Sequence, residues 1–341
     1  MNWVELMEAS DNGVAFLISK LDKNGHFTLP EAKSDMGTHY KLPMLFLLTG
    51  HGKLANQVLD DIKARFMIDN GDFVTFKEPD GKDWKTANGA LAHFWSYMNG
   101  WVAIAAQRIG RFDIAYPAYK YLNTFYNPVL KSVNCSEPFS VDTPGQEIEI
   151  LMCSHLGIAA LYFGNLELAE TLGNSIDTFI QRQPDIKLEF LCRMSSANKD
   201  FVKEGPEELR PFYSVKTNDP NQLYFLLGYP VIFLFKLYQA TGCRQHLDNC
   251  CKILDFLHDC DESIYSFHFS HKVSYAAALV YKATSNKKYL KMCQKIVKYL
   301  ISIQSPDGDF LSTEAVLDNY DQTAEIALWL REIAVELRGM D

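Results

Sequence analysis

Tyr299-Leu-Ile-Ser-Ile-Gln304-Ser-Pro-Asp307-Gly308-Asp-Phe310, followed by the run Tyr320 to Leu337, reads as a helix, a Pro/Gly turn and a second helix. Its weight comes from recurrence. The cadence of apolar helix, Asn/Asp-Gly and aromatic returns at Phe16-Leu-Ile to Asn24-Gly25-His26-Phe27, and again at Ile62 to Phe66 before Asn70-Gly71-Asp72-Phe73. A pattern returning about every fifty residues near the start indicates repeat architecture.

Helical periodicity divides the rest of the chain around these turns. Residues 3 to 20 carry Val4, Met7, Val14, Leu17 and Ile18, with Asn12-Gly13 placing the effective helix start after Ser10-Asp11. A helix over Tyr40 to Leu48 ends at Gly50-His-Gly52, and Leu54, Val58, Ile62 and Phe66 stripe the next, Leu54 to Met67. The pair returns as Leu91 to Ile109 with Phe112 to Tyr126, Gln146 to Phe163 with Leu166 to Gln181, Asn221 to Ala240 with Gln245 to Leu257, and Phe269 to Lys282 with Lys288 to Ile303. The first helix of each pair is apolar around its circumference and the second is striped, the mark of inner and water-facing layers. Five hairpins plus a lone helix at each end predict an all-α, single-domain α/α toroid over residues 1 to 341. It has six helical hairpins, with residues 1 to 20 packed beside 319 to 338 to close the ring.

Composition narrows the function. The 341 residues are 48% apolar and 13% aromatic, enough for a large core, and the net charge of -9 disfavours a nucleic-acid partner. No basic n-region or long apolar stretch opens the chain, and the longest apolar run, Tyr229 to Phe235, is too short for a membrane span. Eight cysteines without a CxxC pair read as reduced packing residues of a cytoplasmic protein, and no metal tetrad is visible. A Gly-rich phosphate loop and a Gly-x-Ser-x-Gly elbow are both missing, so neither a nucleotide cofactor nor acyl-enzyme chemistry is expected.

Gln304-Ser-Pro-Asp307-Gly308-Asp-Phe310 resembles the Gln-x-x-Asp-Gly-aromatic turn of the prenyltransferase and squalene-hopene cyclase group, and Asp321-Gln-Thr-Ala-Glu325 before Trp329 resembles a helix opening of that group. Similar turns occur in six-hairpin glycosidases, unsaturated-glucuronyl hydrolases and N-acylglucosamine 2-epimerases, which share the α/α toroid. The resemblance implies a catalytic toroid. The chain departs from the cyclases at their Asp-x-Asp-Asp cluster, where the nearest string is Asp259-Cys-Asp261-Glu262 on an outer helix. Asp60-Asp61 lacks the second half of an Asp-x-x-Asp metal motif, and no zinc set is recognisable, which disfavours diphosphate ionisation.

A toroid's chemistry belongs in its funnel, at the first turns of the inner helices. The candidate acid-base residues there are Glu149, Glu325, His155, His268 and His271, since a buried carboxyl with a raised pKa or a histidine moves protons near neutrality. Glu325 and Asp321 are four residues apart and share a helix face. Glu147 and Glu149, read as helical, point in different directions. The candidate substrate-binding residues are Trp84, His93, Trp95, Tyr97, Gln146, Tyr224, Tyr229, Tyr275, Tyr320, Asp321 and Trp329. Each has a structural explanation as well: Asp35, Asp142, Asp219, Asn221 and Asp321 at helix starts suit capping, and the tryptophans suit packing.

The reading these residues support is a cofactor-independent isomerase or cyclase acting by acid-base chemistry on a small, partly apolar organic molecule. The scarcity of arginine near inner-helix starts favours the less polar substrate. The alternatives are a carbohydrate epimerase or glycoside hydrolase and, in another class, a non-catalytic toroidal binding subunit.

Overall fold

A computed structural model describes residues 2–77, 83–87, 95–143 and 146–339. Twelve helices of seven residues or more occur among them, and they make six hairpins of the α/α-toroid class. Two compact units are distinguished, one of residues 2–124 with 301–334, the other of residues 125–300 with the C-terminal residues from Val335.

The first unit holds α1 (Trp3–Ser19), α2 (Leu42–Leu48), α3 (Gly52–Arg65), α4 (Tyr97–Ile109), α5 (Phe112–Leu122) and most of α12 (Val316–Leu337). In α2 the run Leu42 to Phe46 is buried on every side, whereas α3 buries only a stripe that includes Ala55, Val58, Leu59 and Ile62. The terminal helices pack together as expected. Ser10 Oγ donates to the Ala327 carbonyl at 2.8 Å, and Arg331 pairs with Asp11.

Two departures from the sequence expectation concern the paired terminal helices. Helix α1 runs unbroken through Asn12-Gly13, because Gly13 serves helix packing there: a Cβ on it would lie 3.0 Å from Ala327 Cβ and 3.3 Å from the Phe310 ring. Helix α12 starts at Val316, which puts Asp321 in its second turn instead of at a cap. The recurring Asn/Asp-Gly turn has one backbone geometry in all three places. Gly25, Gly71 and Gly308 adopt φ of 86°, 90° and 104°, and the aromatics that follow, Phe27, Phe73 and Phe310, are buried. Glycine is required at 308, where a Cβ would also overlap the Asn12 carbonyl.

The second unit holds α6 (Ile150–Tyr162), α7 (Leu166–Gln181), α8 (Phe225–Thr241), α9 (Arg244–His258), α10 (His271–Thr284) and α11 (Lys287–Ser302). Residues 150–160, 226–235 and 271–280 are buried without interruption, and α8 packs on both α6 and α10. Gly228 permits the α8–α10 approach, since a Cβ there would sit 2.7 Å from the Val273 nitrogen and 2.9 Å from the Lys272 carbonyl carbon. Helices α7, α9 and α11 bury one stripe each.

Among the described residues, four short antiparallel ladders decorate the loops: β1 (Phe76–Lys77) with β2 (Asp83–Trp84), β3 (Tyr126–Asn127) with β4 (Ser132–Val133), β5 (Glu147–Glu149) with β7 (Arg193–Ser195), and β6 (Glu189–Leu191) with β8 (Ser214–Lys216). The expected helix from Gln146 therefore begins only at Ile150. Glu147-Ile-Glu149-Ile alternates with period two, a strand pattern that pairs Glu149 with Arg193. The other inner helices also start late, at Phe225 and His271. Asn221 takes a left-handed φ of 54° ahead of the first, so it is not a helix cap.

Candidate active-site clusters

Three buried polar clusters at helix starts gather the expected acid-base residues, one in the first unit and two in the second. In the first unit Lys41 precedes the apolar run of α2 and is 2% exposed. Its Nζ lies 2.9 and 3.0 Å from the two oxygens of Asp321 and 2.5 Å from Glu325 Oε2. Glu325 Oε1 accepts from Trp329 Nε1 at 3.2 Å and faces the Tyr97 hydroxyl at 3.5 Å. The shared helix face expected for Asp321 and Glu325 is therefore present, gathered on a lysine that the sequence reading passed over. Burial pushes the Lys41 ammonium down, but the two carboxylates more than offset this and leave its pKa raised. Burial raises Asp321, and Lys41 only partly offsets it. Lys41, Trp329 and Tyr97 all donate to Glu325. The rings of Tyr40, Tyr97, Trp101 and Trp329 follow one another at centroid distances of 6.0, 6.3 and 5.9 Å around this ion cluster.

In the second unit the β5–β7 ladder sets Glu149 opposite Arg193. The guanidinium reaches Glu149 Oε1 at 3.2 Å and Glu147 Oε2 at 3.1 Å, and stacks over the Tyr213 ring. The helical expectation that Glu147 and Glu149 diverge is overturned: residues two apart on a strand share a face, and both grip one arginine. Complete burial raises the Glu149 carboxyl to about 7 despite that arginine.

The remaining cluster joins three successive inner helices. His155 on α6 meets the Tyr229 hydroxyl on α8 through Nδ1 at 3.0 Å. On α10, His271 Nδ1 faces the His268 carbonyl at 2.7 Å, and its Nε2 lies 3.2 Å from Lys272 Nζ. A carbonyl only accepts, so Nδ1 carries the proton and Nε2 presents a lone pair to the ammonium. Lys272 is buried and sits over the rings of Phe225 and Tyr229 at 5.0 and 5.9 Å. The His268 ring lies against the tilted rings of Phe267 and Phe269, and burial lowers its pKa to about 4.

Other expected substrate residues have structural partners. Trp95 Nε1 donates to Asp72 at 2.9 Å and Tyr121 at 3.1 Å, Gln146 ties its loop to Asn134 and Pro138, and the Tyr224 hydroxyl meets Ser263. Tyr320 packs on Phe16 and Phe27, and Tyr275 is buried within α10. His93 and the Trp84 side chain lie outside the described residues.

The sequence reading missed Lys41, Arg193 and Lys272. Two of them carried a signal, a lysine at the start of an otherwise apolar helix, and a count of arginines alone overlooked it. The cysteines are all free, and burial raises the thiols of Cys135, Cys153, Cys192, Cys250, Cys260 and Cys293. Among the described residues no helix is long and apolar enough to cross a membrane, and no three His, Cys, Asp or Glu side chains gather as a metal site would.

No family model matches the chain, and no curated protein sequence matches it significantly. Solved structures do. A D-mannose isomerase is 16% identical with a TM-score of 0.67, the match covering 96% of each chain. The GH76A α-1,6-mannanase from Salegentibacter sp. HEL1_6 is 13% identical with a TM-score of 0.63, over 97% of this chain and 99% of that one. An unsaturated glucuronyl hydrolase specific for heparin is 11% identical with a TM-score of 0.59, over 99% and 98%. These likenesses show the six-hairpin fold shared by isomerases and glycoside hydrolases. They lend no support to the narrower resemblance to prenyltransferases and squalene-hopene cyclases.

Proposed function

We propose that this chain is a carbohydrate isomerase or epimerase that moves a proton on a small sugar, the alternative reading of the sequence and not its first. The observation that carries this is the buried couple of His155–Tyr229 with Lys272–His271 across α6, α8 and α10. Moving a hydrogen beside a carbonyl needs a base at the carbon, a positive group at the oxygen and an acid that returns the proton. His271 Nε2 takes the proton from the carbon beside the carbonyl, the C–H electron pair forms a carbon–carbon double bond as the carbonyl π pair moves onto oxygen, and the Lys272 ammonium steadies the charge gathering there. Return of the proton to the former carbonyl carbon gives the isomer once the adjacent hydroxyl has lost its proton and the former carbonyl oxygen has gained one, and the His155–Tyr229 pair relays that proton between the two oxygens. The whole-length likeness to a D-mannose isomerase supports the reading at the level of fold.

A glycoside hydrolase is the second reading, favoured by the likeness to an α-1,6-mannanase. Its chemistry requires two carboxyls flanking the scissile bond. Asp321 and Glu325 instead converge on one ammonium, and Glu147 and Glu149 on one guanidinium, so each pair is committed to a cation on a single side.

His155→Asn and His271→Asn test the assignment with D-mannose as substrate and an α-1,6-linked mannan as the competing one. Each variant is expected to lose about a hundredfold or more in rate with its circular dichroism unchanged. Turnover of D-mannose at nearly the unmodified rate in both variants, or release of sugar from the mannan in place of isomerisation, would overturn it.

A further inference from the structure

The second unit carries a cleft of about 230 Å³ between α7 and two hairpin turns. Along α7 it is lined by Thr171, Asn174, Ser175 and Thr178, at spacings that put all four on one helix face. Lys131, from the turn joining β3 to β4, and Lys199, from the turn after β7, complete its polar lining, and no carboxylate lines it. In a chain of net charge -9 this is a local concentration of positive charge. Neither ammonium has an ion-pair partner among the described residues.

Both lysines stand in left-handed backbone, with φ of 55° for Lys131 and 62° for Lys199. Elsewhere most such positions hold glycine, including Gly110, Gly164 and Gly242 at helix ends. An L side chain adopts this conformation at a cost glycine does not bear. Two lysines kept in it on the rim of one cleft point to a use for their charges. The hydroxyls of Thr171 and Thr178 donate to carbonyls of their own helix, Glu167 at 2.9 Å and Asn174 at 3.0 Å, and each can turn toward a ligand in the cleft.

We propose that this cleft binds a phosphate group, free or carried on a sugar. Two ammonium groups supply the charge, Asn174 and the hydroxyls supply neutral donors, and the volume suits a small anion or a monosaccharide-sized ester. The site is separate from the acid-base clusters. On the β5–β7 ladder Ile148 and Met194 lie directly opposite each other and line the cleft, while Glu147, Glu149 and Arg193 occupy the other face. The proposal stands whether or not the sugar isomerase reading does.

The test is calorimetric titration of the full chain with inorganic phosphate and with a hexose 6-phosphate, each against sodium chloride at matched ionic strength. Saturable binding of either is expected, together with a rise in Tm that chloride does not reproduce. Tighter binding of the ester identifies a sugar phosphate as the occupant, and equal affinity identifies the free ion. Lys131→Gly and Lys199→Gly retain the left-handed turns and remove the charges, so each is expected to fold and to bind about tenfold more weakly. Asn174→Asp, at an exposed helix position, sets a carboxylate in the cleft and is expected to weaken binding at least as much. No phosphate-specific heat or Tm shift in the unmodified chain, or undiminished affinity in the lysine variants or in Asn174→Asp, would overturn the proposal.

Discussion

Lys41→Met removes a cation that Asp321 and Glu325 share. Both carboxylates are 2% exposed, so the variant must keep two buried charges without their partner or take up protons to neutralise them. Breaking a buried pair by removing one member costs about 4 kcal/mol. For unfolding of all 341 residues the entropy is about 0.7 kcal/mol/K, so Tm should fall by about 6 °C. The fall should be smaller at pH 5 than at pH 8, because the orphaned carboxyls take up protons more readily in acid. Restoring neutrality by adding Asp321→Asn and Glu325→Gln to Lys41→Met should recover most of the loss, since exchanging all members of a buried ion cluster for neutral groups is far less costly than orphaning one. Glu325→Gln alone keeps the Asp321–Lys41 pair and should cost less than Lys41→Met. Differential scanning calorimetry of the four proteins decides the matter. An unchanged Tm for Lys41→Met, or a triple variant as unstable as the single one, would refute the reasoning.

Glu149 makes a pH-dependent prediction of its own. Its folded pKa of about 7 lies above the ordinary value of 4.5, so the folded state binds the extra proton between those limits and stability falls as pH rises through that window; Glu149→Gln should flatten this part of a Tm-against-pH curve, and an unaltered slope would count against the buried carboxyl. With its pKa lowered to about 4, His268 stays neutral from pH 5 upward, so His268→Gln should leave the pH profile of turnover between 6 and 8 in place, and a displaced limb would return it to the list of bases. Gly308→Ala should lower Tm by several degrees, because φ of 104° disfavours any side chain and the new Cβ meets the Asn12 carbonyl; a Tm unchanged by this substitution would mean that the turn and α1 can move apart freely.

The hairpin count was legible because its signals are local. An Asn/Asp-Gly turn requires a left-handed glycine, an inner helix announces itself by being apolar all round, and neither depends on distant residues. The departures have equally local causes. Asn12-Gly13 looks like a turn until Ala327 is seen packed against Gly13, and Glu147-Ile-Glu149 is too short for its period of two to outweigh the helix that follows. The site was legible only by half. Carboxylates and histidines in apolar surroundings were visible as expensive groups, but their partners come from far along the chain: Lys41 is 280 residues from Asp321, and Arg193 is 44 from Glu149. Pairings of that range are fixed by the packing of hairpins, which leaves no mark on either stretch of sequence. The preference for an apolar substrate rested on the scarcity of arginine at the inner-helix starts, and it left out the charge that Lys41 and Lys272 bring to those positions.

Proton transfer at a sugar carbon leaves a direct record in heavy water. Incubating the unmodified chain with D-mannose in D2O and following the hydrogen on the carbon next to the carbonyl by proton NMR tests the proposed chemistry without any variant. Conversion of the aldose is expected, with deuterium appearing in the sugar at a carbon-bound position, and with loss of both conversion and exchange in His271→Asn. Conversion without deuterium in any product or recovered substrate, or exchange that persists in His271→Asn at the unmodified rate, would contradict it.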